Sequence, residues 1–144
     1  MIFTQELMDL NIDNGIIYPL HVVTKSFHEI HDRINNNLFF GVLHDHGNIP
    51  TGSINIKKIS HMISDIKFLK DKITGKITIL KTPCGLIVKN LIQSGKKYKM
   101  ILQAFYSFDV IDNKKVVKQM NIISFDFSFV DFNIKFDDPE GFFT

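Results

Sequence analysis

The chain is 144 residues long, and 44% of its residues are hydrophobic and 22% are charged. These proportions are ordinary for a soluble domain with one core, and no segment has the roughly 18 consecutive apolar residues that a membrane-spanning helix needs. A formal net charge of +2, carried on scattered lysines, is too small for a nucleic-acid-binding surface. We therefore expect one domain with no membrane partner and no specific nucleic-acid partner.

The start of the sequence lacks the basic and apolar regions of a secretion signal, so we expect synthesis in a cytoplasm. Cys84 is the only cysteine, which rules out an internal disulfide and a multi-cysteine zinc site. The densest basic cluster, residues 96–99 with Tyr98 inside it, is more typical of a solvated turn than of a nucleic-acid site. We expect no cofactor.

The first half of the chain is predicted to contain a hairpin, a helix and a buried strand. Asn14-Gly15 is a turn dipeptide that would join residues 8–13 to residues 16–18 in a hairpin or tight strand connection. Apolar residues then recur at spacings of three and four, which predicts one helix over 20–36. The apolar run 38–43 indicates a buried strand.

The second half is predicted to be mostly antiparallel strands. Residues 60–81 alternate between apolar and polar and are interrupted at Asp71-Lys72, which predicts two strands. Pro83 then opens a helix that Gly95 closes. Residues 99–111 and 116–130 are rich in β-branched and aromatic side chains and are joined by Asp112-Asn113. The fold class that follows is α+β, with a curved, mainly antiparallel sheet or barrel and two helices.

Five short segments, in this order and at these separations, resemble the prohead core (maturation) serine proteases of tailed bacteriophages, which are related in fold to herpesvirus capsid-maturation proteases. The segments are Asn14-Gly15-Ile16-Ile17-Tyr18-Pro19, Gly41-Val42-Leu43-His44, Ile59-Ser60-His61-Met62-Ile63, residues 75–85 and Leu91-Ile92-Gln93-Ser94-Gly95. The third is similar to the family's Val-Ser-His-x-Ile strand, so the resemblance implies that His61 occupies the position of the catalytic base. It also implies a single prohead-protease-like domain over residues 1–144, with a short Phe-rich extension from about residue 132.

One strand departs from the family pattern. Where the proteases have a Val-Ser-Ser-Arg-Gly strand that supplies the nucleophile, this chain has Met100-Ile101-Leu102-Gln103-Ala104. The lost nucleophile positions are therefore Ile101 and Leu102, whose aliphatic side chains cannot attack a carbonyl or give up a proton. Ser107 lies several residues further along, out of reach of the old base. We expect no catalytic residue and a vestigial His61 that is hydrogen-bonded within the sheet.

Other histidines and Cys84 suggest weaker sites. His44, Asp45 and His46 carry groups that suit zinc, but no third fixed ligand is visible, so the sequence favours a surface turn without settling whether it binds a metal. His28 and His31 share a helix face that we expect to be solvated. Cys84, after Thr-Pro at a helix start, is expected to be a small buried hydrophobe rather than a nucleophile.

The C-terminal segment carries more aromatic residues than a small core can easily hide. The alternation over 125–130 predicts a core-facing strand. The later aromatics are expected to bind a partner, because exposed apolar clusters usually mark docking surfaces; they are Phe132, Phe136, Phe142 and Phe143.

These observations lead to one main functional hypothesis. The chain is expected to be a non-catalytic structural or auxiliary protein of a phage capsid or virion that contacts the major capsid protein or other virion subunits, with self-association left open. The alternatives are an active maturation protease with an atypical nucleophile and a transient assembly chaperone. The family's proteases carry a further C-terminal segment, and the end of this chain at Thr144 favours the main hypothesis.

Overall fold

The computed structural model describes residues 1–11, 15–44 and 54–129, which form two β-sheets and three α-helices. In chain order the strands are β1 (Ile2–Asp9), β2 (Ile16–Ile17), β3 (Phe40–Val42), β4 (Ile59–Leu69), β5 (Lys72–Ile79), β6 (Lys99–Ile111) and β7 (Lys114–Ser128). The helices are α1 (Leu20–Glu29), α2 (His31–Asn35) and α3 (Pro83–Gln93), with a 3₁₀ helix at Ile56–Lys58.

The first sheet has the order β1-β5-β4-β3 and is antiparallel throughout. The second has the order β2-β7-β6, in which β6 and β7 are antiparallel and the short β2 runs parallel to β7. The two sheets meet where Leu43 bridges to Phe127. The α+β class is confirmed, and the sheets are curved without closing into a barrel; bulges such as the one between Ser64 and Lys67 bend the strands.

Two of the local predictions are wrong. Of the two connections expected at Asn14-Gly15, a hairpin or a tight strand connection, the hairpin does not form, because β1 pairs with β5 in one sheet and β2 pairs with β7 in the other. Asn14 lies outside the described residues. The helix expected over 20–36 is divided at Ile30, whose backbone leaves the helical range at φ −102° and ψ 9°. The Ile30 and Ile34 side chains are both buried, so the change of direction keeps both in the core.

The predictions for the second half are confirmed. β4 and β5 form the antiparallel pair expected over 60–81, and Thr82 caps α3 by accepting a hydrogen bond from Gly85 N at 3.0 Å. β6 and β7 form a long hairpin whose turn residues, Asp112 and Asn113, have φ values of 52° and 64°. Two consecutive positive φ values match the right-handed twist of the flanking strands.

The core lies between the two sheets and is rich in phenylalanine. Phe39, Phe125 and Phe127 are fully buried, and α1 adds Phe27, whose ring stacks on Phe125 at 5.9 Å between centroids. Burying each such side chain stabilises the fold by about 1.5–3 kcal/mol. Phe125 and Phe127 belong to β7, and the Phe127 ring brings the centre of the core into contact with His61 of β4.

Candidate functional site

His61 lies in the middle of the first sheet and has no exposed surface. On β4 it pairs with Gly41 of β3 on one side and with Ile79 of β5 on the other. Its ring meets the Phe127 ring edge-on at 4.6 Å between centroids. His61, which the resemblance places at the catalytic base, is therefore an interior residue of this fold, and water does not reach it.

Both ring nitrogens of His61 are hydrogen-bonded. Nε2 lies 2.8 Å from the Phe125 carbonyl oxygen, and Nδ1 lies 2.7 Å from the Ser60 hydroxyl. A carbonyl oxygen can only accept, so Nε2 carries the proton and the neutral Nδ1 accepts from Ser60. Burial lowers the pKa of His61 to about 4, although the bond to Phe125 acts in the opposite direction. The neutral imidazole thus already uses its one donor and its one acceptor.

Gly41 makes room for this arrangement. A Cβ at this position would collide with His61 Nε2 and with the Phe125 carbonyl oxygen. The backbone of β3 therefore closes one side of the ring, while Phe127 closes another. An imidazole enclosed in this way orients strands and has no space beside Nε2 for a substrate.

The expected positions of the lost nucleophile, Ile101 and Leu102, lie on β6, opposite the end of β7. Leu102 pairs with Phe125 and Ile101 pairs with Asp126. Directly opposed residues of an antiparallel pair share a face, so Leu102 is on the Phe125 face, where it packs against the core, and Ile101 is on the Asp126 face. The hydrogen bond and the ring contact of His61 reach β7, the strand paired with β6. His61 and these two β6 positions are thus each joined to β7, and the side chains at both β6 positions are aliphatic.

The polar residues Ser60 and Asp126 are part of this region and were not singled out from the sequence. Ser60 is fully buried and is the hydroxyl that contacts the histidine. Asp126 is 3% exposed, and its Oδ1 accepts a hydrogen bond from Val42 N at 3.1 Å. Burial raises the pKa of Asp126 to about 6, while hydrogen bonds from Val42 and Ser124 act in the opposite direction.

Asp126 occupies a polar position of an alternating strand, and such positions normally face solvent. It is buried because β3 covers the edge of β7 that β6 does not occupy, and the Leu43–Phe127 bridge holds β3 there. The side-chain oxygen of Gln103, which the resemblance places where the family has an arginine, lies 3.1 Å from the Ser124 hydroxyl oxygen. This side of β7 is therefore a hydrogen-bonded polar layer that joins β3, β7 and β6.

Four further sequence candidates lie within the described residues. The Cys84 thiol is buried, as expected, and burial raises its pKa to about 11, so it is not a thiolate near neutral pH. His28 and His31 are exposed, as expected, and their rings stack at 6.3 Å. His44 donates its backbone N–H to the Phe127 carbonyl oxygen at 2.8 Å.

Several predicted positions fall outside the described residues. They are Asp45 and His46 of the possible metal turn, and Phe132, Phe136, Phe142 and Phe143 of the partner surface.

An open groove of about 510 Å³ lies between the first two helices and β4. It is lined by Phe27, His28, His31, Asp65 and Phe68 among others. His61, Ile101 and Leu102 do not line it, so this groove does not open onto the residues that the resemblance associates with catalysis.

Comparisons with known proteins agree on the fold. No protein-family model matches the chain, and no curated protein matches it by sequence. None of the helices in the described ranges has the length and apolar character needed to cross a membrane. Among solved structures the chain is similar to the bacteriophage T4 capsid assembly protease gp21, with a TM-score of 0.76 at 13% identity, over 88% of this chain and 79% of that one. The chain therefore has the fold of a phage capsid assembly protease.

Proposed function

We propose that this chain is a non-catalytic relative of the prohead proteases that serves in a phage capsid, as a structural or auxiliary component. The capsid role rests on the similarity of its fold to the T4 capsid assembly protease. The absence of catalysis rests on a single observation: aliphatic side chains at Ile101 and Leu102 stand opposite the strand segment that holds His61 by its Nε2.

The chemistry of peptide hydrolysis supports this reading. A serine protease needs a nucleophile that can bond to the scissile carbon and a base with a free acceptor nitrogen beside it. His61 has Nε2–H donated to a backbone carbonyl and Nδ1 occupied by Ser60. A pKa of about 4 also makes it a weak base near neutral pH. The same bonds are well suited to holding β4 against β7.

The alternative of an atypical protease has one specific observation in its favour, the Ser60 hydroxyl 2.7 Å from His61 Nδ1. A serine hydrogen-bonded to a histidine is the first element of a catalytic dyad. However, both side chains are fully buried, and the acceptor Nδ1 belongs to a ring whose other nitrogen is committed to Phe125. Ser60 therefore serves in our proposal to fix the tautomer and orientation of the imidazole.

The test is activity-based labelling together with cleavage of capsid precursors. Purified chain, its Ser60→Ala variant and an active prohead protease as the positive control are treated with a fluorophosphonate and, separately, with unprocessed capsid and scaffold proteins. We expect labelling and cleavage only with the positive control. Stoichiometric labelling of the wild-type chain at any serine would overturn the non-catalytic reading, and its loss in Ser60→Ala would identify Ser60 as the nucleophile.

Residence in the particle needs a separate measurement, because a transient assembly chaperone would also fail to cleave. We propose that the chain stays in the capsid and contacts the major capsid protein or another virion subunit. Mass spectrometry of purified proheads and mature virions should find it in both. Its presence in proheads and absence from virions would favour the chaperone instead.

A further inference from the structure

The outer half of the β6–β7 hairpin carries an exposed aromatic surface far from His61. Tyr106, Phe108 and Val110 follow one another on one face of β6, and they are 39%, 37% and 66% exposed. The Tyr106 ring contacts Tyr18 edge-on at 6.5 Å and Phe108 at 6.0 Å. Lys115 Nζ lies 4.8 Å from the centre of the Phe108 ring. We call these five residues the ribbon patch.

The ribbon patch has the chemistry of a binding hot spot. Aromatic rings that contact each other are already ordered, so binding over them costs little conformational entropy. A lysine held over a ring adds a positively charged group at a fixed place. Exposed apolar groups of this kind on a soluble domain usually mark a docking surface. β6 is also the outermost strand of its sheet among the described residues, so the approach to the patch is open along that edge.

A segment whose chemistry matches that of the ribbon patch is present in the sequence. Residues 131–144 combine four acidic side chains with four phenylalanines and a single lysine. The acidic residues Asp137 and Asp138 directly follow Phe136. Such a segment can place a ring against Tyr106 and Phe108 and a carboxylate beside Lys115. We infer that the ribbon patch of one copy of this protein binds residues 131–144 of a second copy.

The dimensions of the hairpin favour a second copy over the same chain. β7 ends at Ser128, which pairs with Lys99 at the base of the hairpin, whereas Lys115 pairs with Val110 near its tip. With a rise of about 3.3 Å per residue, these two ends are about 36 Å apart. Asp137 is eight residues beyond Phe129 and can reach at most about 29 Å from it. Within one chain Asp131, Asp137 and Asp138 would fall short of Lys115 even if fully extended, and only Glu140, eleven residues beyond Phe129, could reach it.

This inference does not depend on the loss of the nucleophile, and its test is independent of any cleavage assay. A fluorescein-labelled peptide of residues 131–144 is titrated with the full-length protein and followed by fluorescence anisotropy. Two variants of the ribbon patch are compared with wild type. One is the double variant Phe108→Ser/Lys115→Glu, and the other is Val110→Asp, a single substitution at a more exposed position. The matched control is Leu38→Ser/Lys67→Glu, which changes an exposed leucine and an exposed lysine outside the hairpin. Circular dichroism confirms that each variant is folded.

We expect both ribbon variants to weaken peptide binding at least tenfold and the control to change it less than twofold. Replacing the four carboxylates of the peptide by amides should weaken binding to a similar extent. Sedimentation equilibrium should show association of the wild-type protein that rises with concentration and is lost in the ribbon variants. Peptide binding that is equal in wild type and both ribbon variants would overturn the inference. A protein that remains monomeric at every concentration, as a contact within one chain requires, would overturn it too.

Discussion

His61 should make the stability of this fold strongly dependent on pH. Folding lowers its pKa from the ordinary 6.5 to about 4, so at intermediate pH the unfolded chain binds a proton that the folded chain does not. The stability contributed by the neutral histidine is complete above pH 6.5 and is lost as the pH falls towards 4. This difference in pKa corresponds to a change of about 3 kcal/mol in the free energy of unfolding between pH 6.5 and pH 4.

His61→Gln isolates this contribution. The amide nitrogen of glutamine can donate to the Phe125 carbonyl, but the side chain does not titrate and cannot restore the bond from Ser60. At pH 7.5 we expect the variant to be less stable than wild type by about 1–3 kcal/mol, because a buried hydroxyl loses its partner. At pH 4.5 the wild type has lost most of the histidine's contribution, so the two free energies of unfolding should converge or cross.

Urea denaturation measures the free energy of unfolding of both proteins across the pH range. It is followed by far-UV circular dichroism, since the chain has no tryptophan for fluorescence. His28→Gln, at an exposed position on α1, is the control and should change stability at pH 7.5 by less than about 0.5 kcal/mol. If the free energies of unfolding of wild type and His61→Gln give parallel curves from pH 7.5 to 4.5, the pKa of His61 is not lowered by folding. Parallel curves would mean that the imidazole is protonated in the folded state as easily as in the unfolded one.

Three further predictions concern the surroundings of His61 and the C-terminal segment. Asp126→Asn should raise the free energy of unfolding by about 1–3 kcal/mol at pH 7.5 and have little effect below pH 4, because the raised folded-state pKa of Asp126 makes its charge costly above pH 6. Urea titrations at both pH values check this prediction. A loss of stability at pH 7.5 would contradict it. Gly41→Ala should destabilise the fold by about 1–3 kcal/mol, since its Cβ collides with the imidazole and with a backbone carbonyl. An unchanged thermal midpoint would count against the packing described around His61. Gly95→Ala is the control, because Gly95 has a positive φ but no neighbouring atom that an added Cβ would meet. Deleting residues 137–144 should leave the urea midpoint unchanged but remove the chain from purified particles, and unfolding of the deleted form would show that the segment belongs to the core.

The parts of the fold that the sequence predicted correctly are those with local signals. The turn at Asp112-Asn113, the helix opened by Pro83 and the strand pair over 60–81 each depend on residues close in the chain. Asn14-Gly15 gave an equally strong turn signal, yet the strands on its two sides pair with β5 and β7. A turn dipeptide fixes the path of the backbone but does not choose the strand's partner, which here is decided by burial of apolar side chains such as Leu7.

The candidate site could likewise be predicted only in part. The resemblance implied roles for His61 and for the aliphatic residues on β6, and in the structure His61 bonds the Phe125 carbonyl of β7 while Leu102 pairs with Phe125. The enclosure of His61 could not be predicted, because Gly41, Ser60 and Phe125 come from three separate strands. Asp126 was missed for a related reason: alternation along β7 predicts one exposed face, and only the packing of β3 against that strand buries the carboxyl group.

Mass spectrometry of particles assembled with and without this chain tests the central claim most directly. We expect the intact chain to be present in mature capsids, and the processed ends of the capsid and scaffold proteins to be identical in particles that lack it. Precursors that remain uncleaved only when the chain is absent would contradict the account, because they would make this protein the source of the maturation activity.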